Sequence, residues 1–307
     1  MLRSRWLALL VLAAAGCSSS ASPGSHASLG SQAATTQTST AAPLGITPLA
    51  TTSVEAAPST STTPTSNTSA PSTTTLRTTL TPSTTVVVPS AVAGQEIGRS
   101  VEDRPITLIR RGTPGGTPVL VIGVIHGNED AGTAIIDDLT NLPVPDGVEL
   151  FLVPSMNPDG QHDHRRTNAH LVDLNRNFPQ TWSPLGEPGD SQYSGPAASS
   201  EPETRVIIDL IAQIHPKLVM WYHQNYNRIA PSTGRNGRVR QRYAELTGLS
   251  ILPITGGTYT GTAAGWAKRA LPTGISFIVE LGDALSADQA LTHARAVLTV
   301  AAELSTI

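Results

Sequence analysis

The chain is 307 residues long, 39% hydrophobic and only 14% charged, with a formal net charge of −3. That balance excludes the strongly basic surface of a nucleic-acid binder and gives no acidic tail. Its one cysteine, Cys17, rules out an intrachain disulfide and a thiolate zinc finger.

In chain order, Arg3 and Arg5 precede a ten-residue apolar stretch, WLALLVLAAA, too short to span a bilayer and laid out as a secretory signal. It runs into Gly16-Cys17-Ser18, and AAGC resembles a bacterial lipobox. This predicts a lipoprotein signal peptide over 1–16, a lipidated Cys17 and an extracytoplasmic chain held to the cell membrane through the lipid alone. Ala14 stands where leucine is commonest, and an ordinary signal followed by secretion is the alternative. Residues 17–91 are dominated by Ser, Thr, Ala and Pro, as in STSTTPTSNTSAPSTTT. Such a stretch buries too little apolar surface to offset its ordering entropy and is expected to be a disordered linker. At roughly 3 Å per residue, some 70 residues reach on the order of 200 Å, which suits a tether through the wall layer or a plain spacer.

Residues 92–307 are enough for one domain with a full core. Apolar runs at 118–125, 148–155, 217–222 and 274–281 read as strands, and helical patterns fall at 129–142, 200–214, 238–248, 261–271 and 286–304. Continuous apolar strands alternating with amphipathic helices predict an α/β fold, a mixed, mostly parallel twisted sheet with helices on both faces. Sites in such sheets lie at the carboxyl ends of the strands, where His126, His223 and Glu280 fall.

His126 and Glu129 are three apart in HGNE, so a turn into a helix after the strand lets both face one point. With His223 they make two imidazoles and a carboxylate, a hydrolytic zinc set with a fourth position left for water. A lone histidine, or HxxE alone, is more often structural; the set points to metal. The segment 157–179, NPDGQHDHRRTNAHLVDLNRNFP, offers Arg166 and Arg176 as cations for an oxyanion and a substrate carboxylate, although on composition alone surface salt bridges are the better explanation of such arginines. Glu280, between apolar Val279 and Leu281, is a general-base candidate or a buried ion-pair partner.

HGNE, NPDG, RTN, DLNRNFP, SGPAASSEPET, a histidine after a strand and IVELGD, in that order, resemble the zinc carboxypeptidase family over residues 96–305. The compact branch that includes bacterial murein tripeptide amidases is the most similar. The resemblance implies one zinc on His126, Glu129 and His223, with Glu280 as general base and acid and Arg166 on the oxyanion. It implies that Asn175 and Arg176 clamp a free C-terminal carboxylate of a peptide. It also implies that Asp173 orients His126 through its second nitrogen, which metal chemistry favours independently. Tyr259 is out of register with the family's mobile tyrosine, counted from Trp266, so it serves by a loop shift or not at all. Ala264 and Gly265, on the expected specificity wall, are uncharged. His162, His164, His170, His215 and His293 match no family role.

The expected protein is an exported, monomeric zinc peptidase that removes a C-terminal residue or short piece, with peptidoglycan stem peptides as expected substrates. A deacylase of small N-acyl amino acids, like the aspartoacylase and succinylglutamate desuccinylase group, shares HGNE and a DLNR-like segment, but NPDG, SGP…SEPET and VELGD stand against it. A non-catalytic wall-binding lipoprotein on the same scaffold conflicts with every catalytic position being filled.

Overall fold

The computed structural model describes residues 94–307. The expected signal peptide, Cys17 and the whole of the 17–91 linker lie outside the described residues. Strands are β1 (Gln95–Arg99), β2 (Pro105–Gly112), β3 (Thr117–Ile122), β4 (Val148–Val153), β5 (Leu218–Gln224), β6 (Arg228–Ile229), β7 (Ser250–Ile251) and β8 (Ile275–Leu281). Helices are α1 (Gly132–Asn141), α2 (Pro158–His162), α3 (Pro202–Ile214), α4 (Gly234–Thr247), α5 (Ala263–Ala270) and α6 (Ala287–Glu303).

One sheet runs β1-β2-β4-β3-β5-β8-β6-β7. Its centre, β4-β3-β5-β8, is parallel, while β1-β2, β2-β4 and β6-β8 are antiparallel. The central strands are continuous apolar runs because both of their faces are covered. Val119 and Val121 of β3 point into a core built with α1, α4 and α6. Leu120 and Ile122 point the other way, toward α3 and α5. The mixed sheet with helices on both faces is therefore as expected. No helix among the described residues is long and apolar enough to cross a membrane.

Several boundaries differ from the sequence reading. The β1–β2 hairpin extends the sheet at an edge where no apolar run marks it. α1 begins at Gly132 rather than 129, so His126 and Glu129 lie on a turn ahead of the helix, closed by the Glu129 amide donating to the His126 carbonyl at 2.9 Å. α3 begins at Pro202, whose missing N–H and fixed φ suit a first helical position.

Candidate metal centre and active-site cleft

Parallel pairing of β5 with β8 sets His223 directly beside Glu280, and the turn after β3 brings in His126 and Glu129. His126 Nδ1 is 2.9 Å from Glu129 Oε1, His223 Nδ1 is 2.9 Å from Glu129 Oε2, and the two Nδ1 atoms are 3.1 Å apart. These three residues form a group whose donor atoms lie within 4.8 Å of one another. His162, His164, His170, His215 and His293 are not in it.

The donor set fits a zinc ion on this geometry. Donors about 2.1 Å from a tetrahedral zinc stand roughly 3.4 Å apart, close to the separations found. Asp173 Oδ1 is 3.0 Å from His126 Nε2, so the proton belongs on Nε2 and a lone pair on Nδ1 faces the cluster. Two imidazole nitrogens turned toward each other beside a carboxylate satisfy one another poorly, whereas a cation satisfies all three.

Charges follow the same logic. Burial is the largest influence on Glu129 and pushes its pKa up, but His126 and His223 outweigh it and hold the carboxyl well below the usual range. Asp173 is likewise pushed up by burial, and His126 and Arg166 overturn that and keep it ionised. His126 feels burial most, which lowers it, yet Asp173 and Glu129 leave it raised. Burial dominates at His223, which is lowered and stays neutral.

Arg166 is anchored through Nε and Nη2 to Asp173 Oδ2, at 3.1 and 2.9 Å, while Nη1 donates to Glu129 Oε1 at 2.9 Å. An oxyanion role requires Nη1 to exchange Glu129 for substrate. Glu280 is buried and its Oε2 has no hydrogen-bond partner. Burial first, and the Glu129 charge second, push its pKa up to about 7.

Arg176 closes a 3-10 turn, Leu174–Arg176, that follows the Asp173 cap. Its guanidinium donates to the Asn175 carbonyl at 2.9 Å, its buried Nε is unpartnered, and the Tyr259 ring lies 5.4 Å away. Asn175 is fixed by accepting the Ala263 amide at 2.9 Å. Tyr259 is thus brought to the cleft beside Arg176, although it is largely exposed. All of these side chains except the buried Asp173 line one cleft of about 730 Å³.

The zinc carboxypeptidase family profile matches residues 85–237, which contain His126, Glu129, Arg166, Asp173, Asn175, Arg176 and His223. The chain belongs to the zinc carboxypeptidase family. It is a hydrolase acting on peptides, with zinc as the family's metal. Murein peptide amidase A of Escherichia coli (strain K12) is 26% identical over 199 residues, covering 59% of this chain and 81% of the amidase. Carboxypeptidase SOL1 of Arabidopsis thaliana is 30% identical over 135 residues, covering 38% of this chain and 26% of that protein. Among solved structures, the murein-tripeptide amidase of Escherichia coli O157 superposes with a TM-score of 0.55 at 22% identity, covering 68% of this chain and 91% of the amidase. Carboxypeptidase A from Helicoverpa armigera gives 0.59 at 21% identity, covering 71% and 69%. These structures share the fold.

Within this zinc carboxypeptidase, the remaining motif residues are scaffolding that sequence reasoning gave no role. Asn157 caps α2 by accepting the Gly160 amide at 3.0 Å and donates to the Ile125 carbonyl at 3.1 Å, next to His126. Asp159 accepts from Ser100, the Glu102 amide and Arg104, at 2.7, 3.0 and 2.7 Å, tying the β1–β2 hairpin to the site loop. Asn168 donates to Glu201 and Glu203, at 2.8 and 3.1 Å, which explains the acids of SEPET. Gln224 donates its amide to Glu129 Oε2 at 3.1 Å and accepts the Ala131 amide at 2.9 Å, bracing the ligand turn.

The glycine of HGNE is required by close packing. A Cβ on Gly127 would stand 1.9 Å from the Gly160 carbonyl carbon and 2.2 Å from the Gln161 nitrogen, both backbone. Gly127→Ala is therefore expected to cost about 2–3 kcal/mol, on the order of 5–10 °C in melting temperature. It should also weaken zinc binding, because His126 is the adjacent residue. A melting curve superimposable on the parent's would contradict that packing.

Proposed function

We propose that this chain is an exported, lipid-anchored zinc carboxypeptidase that removes a C-terminal residue, or a short C-terminal piece, from peptidoglycan stem peptides. Arg176 carries the reading: it is buried in the cleft beside the metal group, its Nε meets no acceptor, and the hydrogen bond it makes is to a neutral carbonyl. Burial, the largest influence, lowers its pKa while Asp173 works against that. A guanidinium placed so is a receptor for a carboxylate, which it grips with charge-assisted hydrogen bonds. The names of the murein peptide amidase relatives and the lipobox-like AAGC support the wall substrate and the anchor.

In this mechanism Arg176 and Asn175 hold the substrate's terminal carboxylate, and Tyr259 borders them. His126, Glu129 and His223 would hold the zinc, which when bound would supply Lewis-acid polarisation of a carbonyl and a lowered pKa for water. Glu280, poised by burial, takes the proton from the attacking water and returns it to the leaving nitrogen. Arg166, turning Nη1 from Glu129 toward the carbonyl oxygen, meets the negative charge that develops there. Asp173 keeps His126 in the tautomer that offers Nδ1.

Two measurements test this. Arg176→Ala is expected to lower kcat/KM by about a hundredfold or more, the equivalent of roughly 2–4 kcal/mol, and a C-terminal amide on the substrate should penalise the parent similarly. Equal cleavage of free-acid and amidated peptides would show that the enzyme is not an exopeptidase. For the anchor, Cys17→Ser should move the protein from the membrane fraction to the soluble one; a variant as firmly membrane-bound as the parent would remove the lipid from the account.

A further inference from the structure

We infer that Arg240 is a specificity-determining residue that receives a side-chain carboxylate, so that the preferred C-terminal residue of the substrate is a dicarboxylic amino acid. The inference rests on the carboxypeptidase reading and goes beyond it by naming the substrate's last residue.

Arg240 sits on α4, away from every motif of the metal group, yet it lines the same cleft together with Ser276, Phe277 and Ile278 of β8. Those residues lead along the strand to Glu280, so Arg240 lies beside the strand that carries the proposed base. Its partners are all neutral. Nε donates to Asn236 Oδ1 at 2.7 Å, Nη1 to the Ala230 carbonyl at 2.7 Å, and Nη2 only weakly to the Ser276 carbonyl at 3.4 Å. Its guanidinium also lies over the Phe277 ring at 5.4 Å. A guanidinium has five N–H donors, so these contacts orient it and leave donors over.

A half-buried cation without an acid beside it is costly, and in a folded core it normally acquires a carboxylate. The cost is visible in the pKa, pulled down to about 10 by burial alone, with no opposing charge. Arg240 nevertheless stays protonated at neutral pH. The other α4 arginines have found acceptors at the chain's end: Arg242 pairs with Glu303 and Arg238 with the Ile307 carbonyl. Arg240 alone among these is turned into the cleft.

The cleft around it can admit a second anion. Ala264 and Gly265 on its wall are small and uncharged, and Lys268 adds another cation. Its acids, Glu129 and Glu280, are engaged by the metal group and by proton transfer. With Arg176 taking the terminal carboxylate, Arg166 held by Asp173 and Glu129, and Lys268 exposed, Arg240 is the half-buried cation left to grip a second carboxylate, and a neutral or basic side chain would leave it desolvated and unpaired.

The test uses the zinc-loaded parent and Nα-acyl dipeptides that differ only in their last residue, Glu, Gln or Leu, each as free acid and as C-terminal α-amide. The parent should cleave the Glu peptide with kcat/KM roughly ten- to a hundredfold above the Gln peptide. Arg240→Met should bring that ratio close to one. Arg240→Lys, which keeps a cation but loses the planar fork, should reduce it without abolishing it. A parent that cleaves Gln or Leu as well as Glu overturns the inference, and so does an undiminished ratio in Arg240→Met. If Arg240→Met does not fold, as judged by melting, the Arg240→Lys ratio decides, and an unchanged ratio is contradictory. Failure of the carboxypeptidase reading looks different: α-amides would be cleaved as fast as free acids, whatever the Glu-to-Gln ratio.

Discussion

Replacing Glu280 with glutamine is expected to lower kcat by about a thousandfold, within the 10²–10⁴ range typical of positioned acid–base groups, while one zinc per chain remains bound. Glutamine keeps the size and shape of the side chain but cannot accept and return a proton. Glu280 is not in the His126–Glu129–His223 donor group, so its change should spare the metal. The orphaned Oε2 and the pKa raised to about 7 fit a group that is half protonated where the enzyme works. A folded, metal-loaded Glu280→Gln protein with near-parental turnover would place the base elsewhere.

His223→Ala should produce the opposite dissociation, loss of metal before loss of fold. Disturbing the residues behind a zinc ligand already weakens binding by about 10–100-fold, so removing a ligand should cost at least that. Zinc content measured after gel filtration should fall from about one per chain to a small fraction, and activity with it. Glu129 would keep the Gln224 amide and Arg166 as partners, so the turn should survive and the melting curve of the metal-free variant should stay cooperative. A variant that retains one zinc after gel filtration would remove His223 from the ligand set.

The parallel centre of the sheet is legible in the sequence because it is locally encoded, and the metal group because its motifs stand in the family's order, although His223 lies 94 residues from Glu129. β3, β4, β5 and β8 are buried on both faces and therefore read as unbroken apolar runs. The β1–β2 hairpin is not, since β2 alternates between buried Ile106 and Leu108 and the less buried Pro105, Thr107 and Ile109, which is a half-buried edge pattern rather than a core one. α4 begins four residues earlier than its periodicity suggests because Gly234 and Gly237 weaken the helical signal in its first turn. Which of its arginines turns inward is set by where α4 lands on the sheet, a tertiary fact that the spacing of Arg235, Arg238, Arg240 and Arg242 does not contain. The scaffolding roles of Asn157, Asp159 and Asn168 are hidden for a similar reason: their partners lie far away in the chain and meet them only after folding. The reach of Arg166 to both Asp173 and Glu129 is likewise a product of the fold, and it adds to the oxyanion expectation a contact that must first be released.

The most direct test of the metal centre is an anomalous difference map from crystals of the zinc-loaded protein, collected on both sides of the zinc absorption edge. The account predicts one strong peak per chain, bounded by His126 Nδ1, the Glu129 carboxylate and His223 Nδ1 and facing Glu280 across the cleft. A peak on other residues, or none between these three, would contradict it.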